Sequence, residues 1–171
     1  IANCLVGSEM CIRDRYQSEF EVVEKEDQSP LTIADQRSNE VIEKLLKPSG
    51  IPILSEEGIH SSFEERKSFT YLWIVDPLDG TKEFVKKNGE FTVNIALVEN
   101  GIPILGVIYV PVKKWMYFGS SAGSFREVGG SREKLPLNIK KEVFTAVGSR
   151  SHPSKETADF FEQLKKEKGN V

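Results

Sequence analysis

The sequence predicts a layered α+β fold in which strands joined by hairpins pack against helices. Apolar segments with strand character follow one another through turn residues between positions 71 and 130. Segments with helical periodicity lie before and after them. Strands linked by hairpins favour this arrangement over a parallel sheet of alternating strands and helices.

The first elements lie ahead of the central strands. A helix is predicted from Ile33 to about Lys47, with Thr32 and Asp35 at the spacing of a capping box. Pro48 and Gly50 would end it. A short strand is predicted at 51–54, and the polar residues 59–70 predict a surface loop.

The central strands have the clearest patterns. Residues 71–75, YLWIV, are apolar at every position, which is typical of a buried strand. Asn100 and Gly101 predict a hairpin turn between two further strands. Ser154 is a predicted N-cap for a last helix. The other predicted strands are residues 91–98, 102–110 and 115–119. Turns are predicted at 122–123 and 129–130, and the last helix at 154–168.

Composition limits the class of protein. The chain has 171 residues, which is enough for one domain with a core. The net charge of -3 excludes a strongly basic nucleic-acid binder, so no nucleic-acid partner is expected. Since no apolar run approaches roughly 18 residues, no membrane insertion is expected. Cys4 and Cys11 both lie near the start, and the cysteine-free remainder fits a reducing, cytoplasmic location.

The two ends differ from the rest of the chain. Residues 1–15 show no strand or helix period, and LVGSEMCIRDR resembles translated sequencing-adaptor read-through. We expect residues 1–15 to be non-native; the alternative is a native first helix. The chain stops two residues after Gly169, where another strand would be expected. We therefore expect a fragment.

The segment WIVDPLDGTKEF, residues 73–84, holds the residues best suited to chemistry. An apolar strand runs into Asp76 and Asp79, and Pro77 between them restricts the backbone. Gly80 allows close approach of a ligand, and Thr81 opens a helical turn whose N–H groups suit an anion. Carboxylate oxygens suit Mg²⁺. The alternative is a surface turn, because Asp, Pro and Gly are common in turns.

A second acidic pair, Glu56 and Glu57, follows the short apolar strand IPIL. If the two strands are neighbours, their acids converge, and convergent carboxylates repel one another unless a cation neutralises them. The alternative for Glu56 and Glu57 is a solvated loop.

Five segments together resemble the inositol monophosphatase superfamily: KEDQSPLTIAD, SEEG, WIVDPLDGTKEF, NGEFTVNIALVENGIPILGVIYVPV and GSRSH. Within it, Lys82-Glu83-Phe84 and NGEFTVNIAL favour the 3′(2′),5′-bisphosphate nucleotidase branch. The resemblance covers about Tyr16 to Val171. It implies a layered αβαβα sandwich, of which residues 16–171 are the N-terminal portion, roughly the first half to two-thirds.

The resemblance also implies a lithium-sensitive phosphatase with two or three Mg²⁺ ions. Asp35 and Thr81 would be catalytic and polarise the attacking water. The alternative for Asp35 is a purely structural role in the capping box with Thr32. The alternative for Thr81 is a purely structural role as a helix N-cap. His152 could be a plain loop residue. The implied metal ligands are Glu56, Asp76, the carbonyl of Leu78, and Asp79. The implied substrate-binding residues are Glu56, Asp79, Gly80, Thr81, Ser149 and His152.

The implied reaction is release of the 3′-phosphate from adenosine 3′,5′-bisphosphate or its sulfated analogue, a small phosphorylated nucleotide. The alternatives are inositol monophosphate hydrolysis and a non-catalytic remnant that binds metal or nucleotide. The family's W-D-x-A-A-G segment, with a further metal-ligand aspartate, does not occur in this sequence. We therefore expect the 171-residue chain itself to be inactive. The sequence leaves the oligomeric state open.

Overall fold

A computed structural model describes residues 12, 14, 16, 22–24, 30–58, 61–137, 145–149 and 154–168. The chain divides into two compact units, Ile1–Pro136 and Leu137–Val171. The first unit contains both sheets and the predicted acidic loop. The second contains one long helix.

The first unit contains a small antiparallel pair and a seven-stranded mixed sheet. In the mixed sheet each strand lies beside the next in chain order; the first two strands are parallel and the others antiparallel. The predicted α+β fold is therefore confirmed. The strands are β1 Val22–Glu24 and β2 Pro30–Thr32, then β3 Ile53–Ser55, β4 Tyr71–Asp79, β5 Thr92–Glu99, β6 Ile102–Val110, β7 Trp115–Ser120, β8 Gly123–Val128 and β9 Ser131–Lys134.

The two long helices lie close to their predicted positions. Helix α1 spans Ile33–Leu46 and continues as a 3-10 turn, which Gly50 ends with a φ of 68°. The backbone N–H of Thr157 donates to Ser154 Oγ at 3.2 Å, so Ser154 is the N-cap that the sequence predicts. The other helices are α2 Phe63–Arg66, α3 Thr81–Val85 and α4 Lys155–Lys168.

The prediction of a loop over residues 59–70 was wrong at its centre, where α2 forms. Ser62 Oγ accepts from the backbone N–H of Glu65 at 3.3 Å, and the Glu65 carboxylate accepts from the Ser62 N–H at 2.8 Å. This capping box satisfies two helix-terminal donors, and it stabilises a helical turn within a polar segment.

The core packs one face of the large sheet against α1 and α3. Trp73 and Val75 of β4 point into it, and Phe84 and Phe91 meet there with ring centroids 5.1 Å apart. Ile12 is also fully buried in this cluster. Ile12 belongs to residues 1–15, and the expectation that these residues are non-native stays a prediction.

The opposite face of the sheet carries a groove of about 460 Å³. Ala96 and Gly106, which pair across β5 and β6, line it and leave room because they have little or no side chain. Asp76 and Asn94 also line the groove. The acidic end of β4 therefore opens onto this face.

Within the described residues, no helix is long and apolar enough to cross a membrane.

Candidate metal and phosphate site

Two neighbouring strand ends bring acidic residues together. Strands β3 and β4 are parallel, with Ser55 opposite Val75, and the backbone N–H of Glu56 donates to the Val75 carbonyl at 3.1 Å. Glu56 and Asp76 are the next residues along the two segments, so they lie side by side where β3 ends and β4 continues. The condition on which convergence of the two acidic strand ends depended, that their strands are neighbours, is met.

The DPLD segment continues β4 through a bulge and is not a surface turn. The pairing with β5 passes from Asp76–Asn94 to Asp79–Thr92, which leaves one extra residue in β4. Pro77 fits in such an irregularity because a bulge does not need its missing N–H. The backbone N–H of Leu78 donates to Asp76 Oδ1 at 3.2 Å and holds that carboxylate.

Asp35 and Thr81 are in direct contact. Asp35 lies in the first turn of α1 and is only 1% exposed. Thr81 Oγ1 lies 3.1 Å from Asp35 Oδ1 and 3.2 Å from the Leu78 carbonyl oxygen, so two acceptors compete for its proton. The N-cap of α3 is Gly80, so the alternative in which Thr81 serves only as N-cap is wrong. The side chain of Thr32, the other half of the predicted capping box, lies outside the described part.

The acids influence one another electrostatically. The pKa of Asp76 is raised to about 7, first by burial and then by the negative charges of Glu56 and Asp79. The Leu78 N–H bond opposes this shift, and Asp35 adds to it. Four carboxylates therefore act on one region, where a cation would relieve their repulsion.

The donor set suits a hard cation such as Mg²⁺, which prefers carboxylate and carbonyl oxygens. Glu56, Asp76 and Asp79 supply carboxylates, and Leu78 supplies a carbonyl. In the described part of the chain, however, no group of three or more Asp, Glu, His or Cys side chains is spaced to hold an ion. The structure therefore gathers oxygen donors without closing them into a coordination shell.

Gly80 occupies a position that few other residues could take. Its φ is 91°, and a Cβ there would lie 2.9 Å from the carbonyl oxygen of Glu90. The Gly80 carbonyl accepts from the N–H groups of Glu83 and Phe84, both at 2.9 Å, and so starts α3. The absence of a side chain therefore allows the tight passage from β4 into α3.

The predicted site residues fall into three groups. One group lies in the first unit around the end of β4. Ser149 is exposed and belongs to the second unit, and His152 lies outside the described residues. The first group consists of Asp35, Glu56, Asp76, Leu78, Asp79, Gly80 and Thr81.

The sequence reasoning missed two polar residues beside the acids. Ser38 is fully buried and donates from Oγ to the Pro77 carbonyl at 2.9 Å, which ties α1 to the acidic segment. Its position four residues from both Ala34 and Ile42 could have revealed it, because a serine there interrupts an apolar stripe. Asn94 donates from Nδ2 to Asp79 Oδ2 at 3.1 Å. Only the strand register reveals that contact.

The fold and this site define an α+β protein with a carboxylate-rich centre at one edge of a mixed sheet. The sequence profile of the inositol monophosphatase family matches residues 4–170. The chain belongs to that family.

Its relatives include bisphosphate nucleotidases. It is 43% identical over 147 residues to the 3′(2′),5′-bisphosphate nucleotidase CysQ of Salmonella typhimurium, covering 85% of this chain and 59% of that protein. The Buchnera aphidicola protein of the same name is 43% identical over 161 residues, covering 91% of this chain and 60% of that one. The chain therefore spans about three-fifths of the length of these relatives.

Solved structures show the same fold. The crystal structure of CysQ from Bacteroides thetaiotaomicron matches with a TM-score of 0.85 and 42% identity, covering 99% of this chain and 68% of that one. A Thermotoga maritima IMPase matches with a TM-score of 0.71 and 25% identity, covering 95% of this chain and 62% of that one.

Proposed function

We propose that this protein is a Mg²⁺-dependent phosphomonoesterase that releases the 3′-phosphate of adenosine 3′,5′-bisphosphate or its sulfated analogue. The observation that carries the proposal is the hydrogen bond from Thr81 to buried Asp35, beside the carboxylates at the ends of β3 and β4. The relatives named 3′(2′),5′-bisphosphate nucleotidase support a nucleotide substrate. The cytoplasmic location expected from the sequence belongs to the same proposal.

The proposed metal ligands are Glu56, Asp76, Asp79 and the carbonyl of Leu78, for two or three Mg²⁺ ions. Bound Mg²⁺ would neutralise these carboxylates, lower the pKa of a coordinated water and stabilise charge on the phosphate. The raised pKa of Asp76 supports this assignment because mutual repulsion is what a bound cation would relieve.

Asp35 and Thr81 would together accept the proton of the attacking water. Asp35 accepts the hydroxyl proton of Thr81, which turns the lone pairs of Thr81 Oγ1 toward the water. As the water gives its proton to Thr81 Oγ1, Thr81 would pass its own proton to the Asp35 carboxylate, and the resulting hydroxide would attack phosphorus in line. The bond between phosphorus and the nucleotide 3′-oxygen would break, and the departing 3′-oxygen would take a proton from solvent water, without a covalent enzyme intermediate.

The substrate would be held partly by the chain and partly by its metal. The backbone of Gly80 and Thr81 would contact the phosphate. Glu56 and Asp79 would bind the phosphate indirectly, through the metal ions that they hold. Ser149 and His152 are proposed nucleotide contacts.

Phosphate release tests the proposal on the complete product of the gene that encodes this chain. With Mg²⁺ present, adenosine 3′,5′-bisphosphate should be hydrolysed at a higher kcat/KM than inositol 1-phosphate. Adenosine 5′-monophosphate, which lacks the 3′-phosphate, is the matched control and should release none. A preference for inositol 1-phosphate would contradict the nucleotide assignment and support the inositol monophosphatase alternative.

The expected inactivity of the 171-residue chain itself stays a prediction. Assaying the 171-residue chain alongside the complete protein tests this prediction. Comparable Mg²⁺-dependent turnover by the chain alone would make the prediction wrong. Saturable ion binding without turnover by either protein would favour the non-catalytic alternative.

A further inference from the structure

Two polar side chains of β5 form a hydrogen-bonded chain that ends on a proposed metal ligand. Asn94 Nδ2 lies 3.1 Å from Asp79 Oδ2, and Asn94 Oδ1 lies 3.1 Å from Thr92 Oγ1. We propose that Asn94 is a positioning residue that orients the Asp79 carboxylate toward a divalent cation, and that Thr92 fixes the Asn94 amide. This inference rests on the metal site of the proposed function.

The chemistry of the groups sets the direction of this chain. An ionised carboxylate only accepts hydrogen bonds, so the NH₂ group of Asn94 must face Asp79. The amide oxygen then faces Thr92, whose hydroxyl has one proton to donate. A reversed amide would place its oxygen against the carboxylate oxygen. The order is therefore Thr92 to Asn94 to Asp79.

The strand register makes Asn94 a rigid support. Asn94 pairs with Asp76 across the β4–β5 ladder, and Thr92 pairs with Asp79 beyond the bulge. The backbone of Asn94 is thus opposite one acid while its side chain reaches the other. Its chain neighbours, Val93 and Ile95, are no more than 1% exposed and anchor the strand in the core. Groups on such anchored strands hold their geometry better than groups on loops.

The carboxylate it contacts needs such a support. Asp79 is exposed and ends β4, so its side chain would otherwise sample several rotamers. The amide engages Oδ2, and Oδ1 is the oxygen that we assign to the cation. Hydrogen-bond partners of metal ligands typically change metal affinity 10–100-fold when they are removed.

Mn²⁺ binding to the full chain tests the inference. Free Mn²⁺ is measured by electron paramagnetic resonance for the unaltered chain and for Asn94→Leu, Thr92→Val and Thr92→Ser. Asn94→Leu should weaken Mn²⁺ binding by about tenfold or more, and Thr92→Val by a smaller factor. Thr92→Ser keeps the hydroxyl and should bind Mn²⁺ as the unaltered chain does.

A second measurement separates positioning from general destabilisation. The Tm of each variant in EDTA should stay close to that of the unaltered chain, because the contact is at the surface. If Asn94→Leu fails to fold, the comparison of Mn²⁺ binding by Thr92→Val and Thr92→Ser tests the inference instead. Valine and threonine have nearly the same shape, so the first of these variants removes only the hydroxyl.

Two results would overturn the inference. If Asn94→Leu and Thr92→Val bind Mn²⁺ as tightly as the unaltered chain, or change only the Tm in EDTA, Asn94 does not position the ligand, and the proposed function is unaffected. If the unaltered chain shows no saturable Mn²⁺ binding, the proposed metal site fails and the inference falls with it.

Discussion

Thr81 and Asp35 are 46 residues apart in the sequence and are joined by a hydrogen bond of 3.1 Å. The hydroxyl belongs to the first residue of α3, and the carboxylate lies in the first turn of α1 and is almost fully buried. The bond therefore joins the N-terminal turns of two helices, directly after the acidic end of β4. Under the proposed function this contact is where the attacking water is activated, so its loss should affect rate more than binding.

Replacing Thr81 should slow phosphate release while leaving substrate binding nearly intact. Thr81→Val removes the hydroxyl but keeps the shape, and we expect kcat in the complete protein to fall by about 10²–10⁴-fold, the range of general acid–base effects. Thr81→Ser restores the hydroxyl and should recover most of the rate. Steady-state phosphate release gives kcat and KM separately. Activity of Thr81→Val within twofold of the unaltered protein would exclude the proposed role.

Asp76 should make the metal-free protein less stable as the pH rises. An unperturbed aspartate has a pKa of 3.8, whereas the pKa of Asp76 in the folded chain is about 7, so the folded state binds the extra proton between these values. The stabilisation present below pH 4 is therefore lost as the pH rises through 7. Because the group is partly solvated, we expect a loss of only about 1 kcal/mol, or a few degrees in Tm.

The variant Asp76→Asn isolates this effect. It mimics the protonated acid, so in EDTA its Tm should exceed that of the unaltered chain by more at pH 8 than at pH 5. Glu40→Gln, at an exposed position of α1, is the matched control and should not show this difference. Equal Tm differences between Asp76→Asn and the unaltered chain at both pH values would contradict the repulsion argued for this site.

Ser38 should contribute more to stability than an equivalent serine on the surface. Its buried hydroxyl donates to the Pro77 carbonyl at 2.9 Å, and Ser38→Ala would leave that carbonyl without this donor in the interior. We expect a loss of about 1–3 kcal/mol in the free energy of unfolding, measured by urea denaturation. Ser68 makes a similar bond to the Glu65 carbonyl at 2.7 Å in an exposed position, so Ser68→Ala should cost far less. Equal costs would show that the Ser38 bond is dispensable.

Local patterns were enough to predict strands β3 to β7 and the turn between β5 and β6, but not strands β1 and β2. The unbroken apolar run before Asp76 predicted the central strand, and Asn100 and Gly101, with φ values of 49° and 81°, form the expected hairpin turn. The strand extends further than predicted, because the bulge at Pro77 keeps Asp79 in the ladder. That bulge depends on pairing with β5, which no local pattern encodes.

The candidate site was predictable only in part for the same reason. Asp76 and Asp79 stand out because acids follow an apolar strand, and Glu56 required the assumption, now confirmed, that β3 and β4 are neighbours. The identity of Asp35 as the partner of Thr81 came from resemblance to a family. Asn94 looks like an ordinary polar residue of an alternating strand, and only the register brings it to Asp79.

Gly80 should be far less tolerant of alanine than another glycine with similar backbone angles. At Gly80 an added Cβ would lie 2.9 Å from the Glu90 carbonyl oxygen, and φ is 91°. At Gly101 φ is 81°, but nothing lies within 4 Å of an added Cβ. Gly101→Ala should therefore cost only the left-handed backbone penalty, about 1 kcal/mol, whereas Gly80→Ala adds the displacement of the Glu90 backbone and should cost at least about 2 kcal/mol.

Urea denaturation of both variants measures this difference. If Gly80→Ala and Gly101→Ala lower the free energy of unfolding equally, the contact with Glu90 contributes nothing and only the backbone angle matters. If Gly80→Ala costs more, as we expect, the passage from β4 into α3 is fixed by close packing of two backbone segments. The positions of Asp79 and Thr81 on either side of Gly80 then depend on that packing, because a shift of the Glu90 segment would move both.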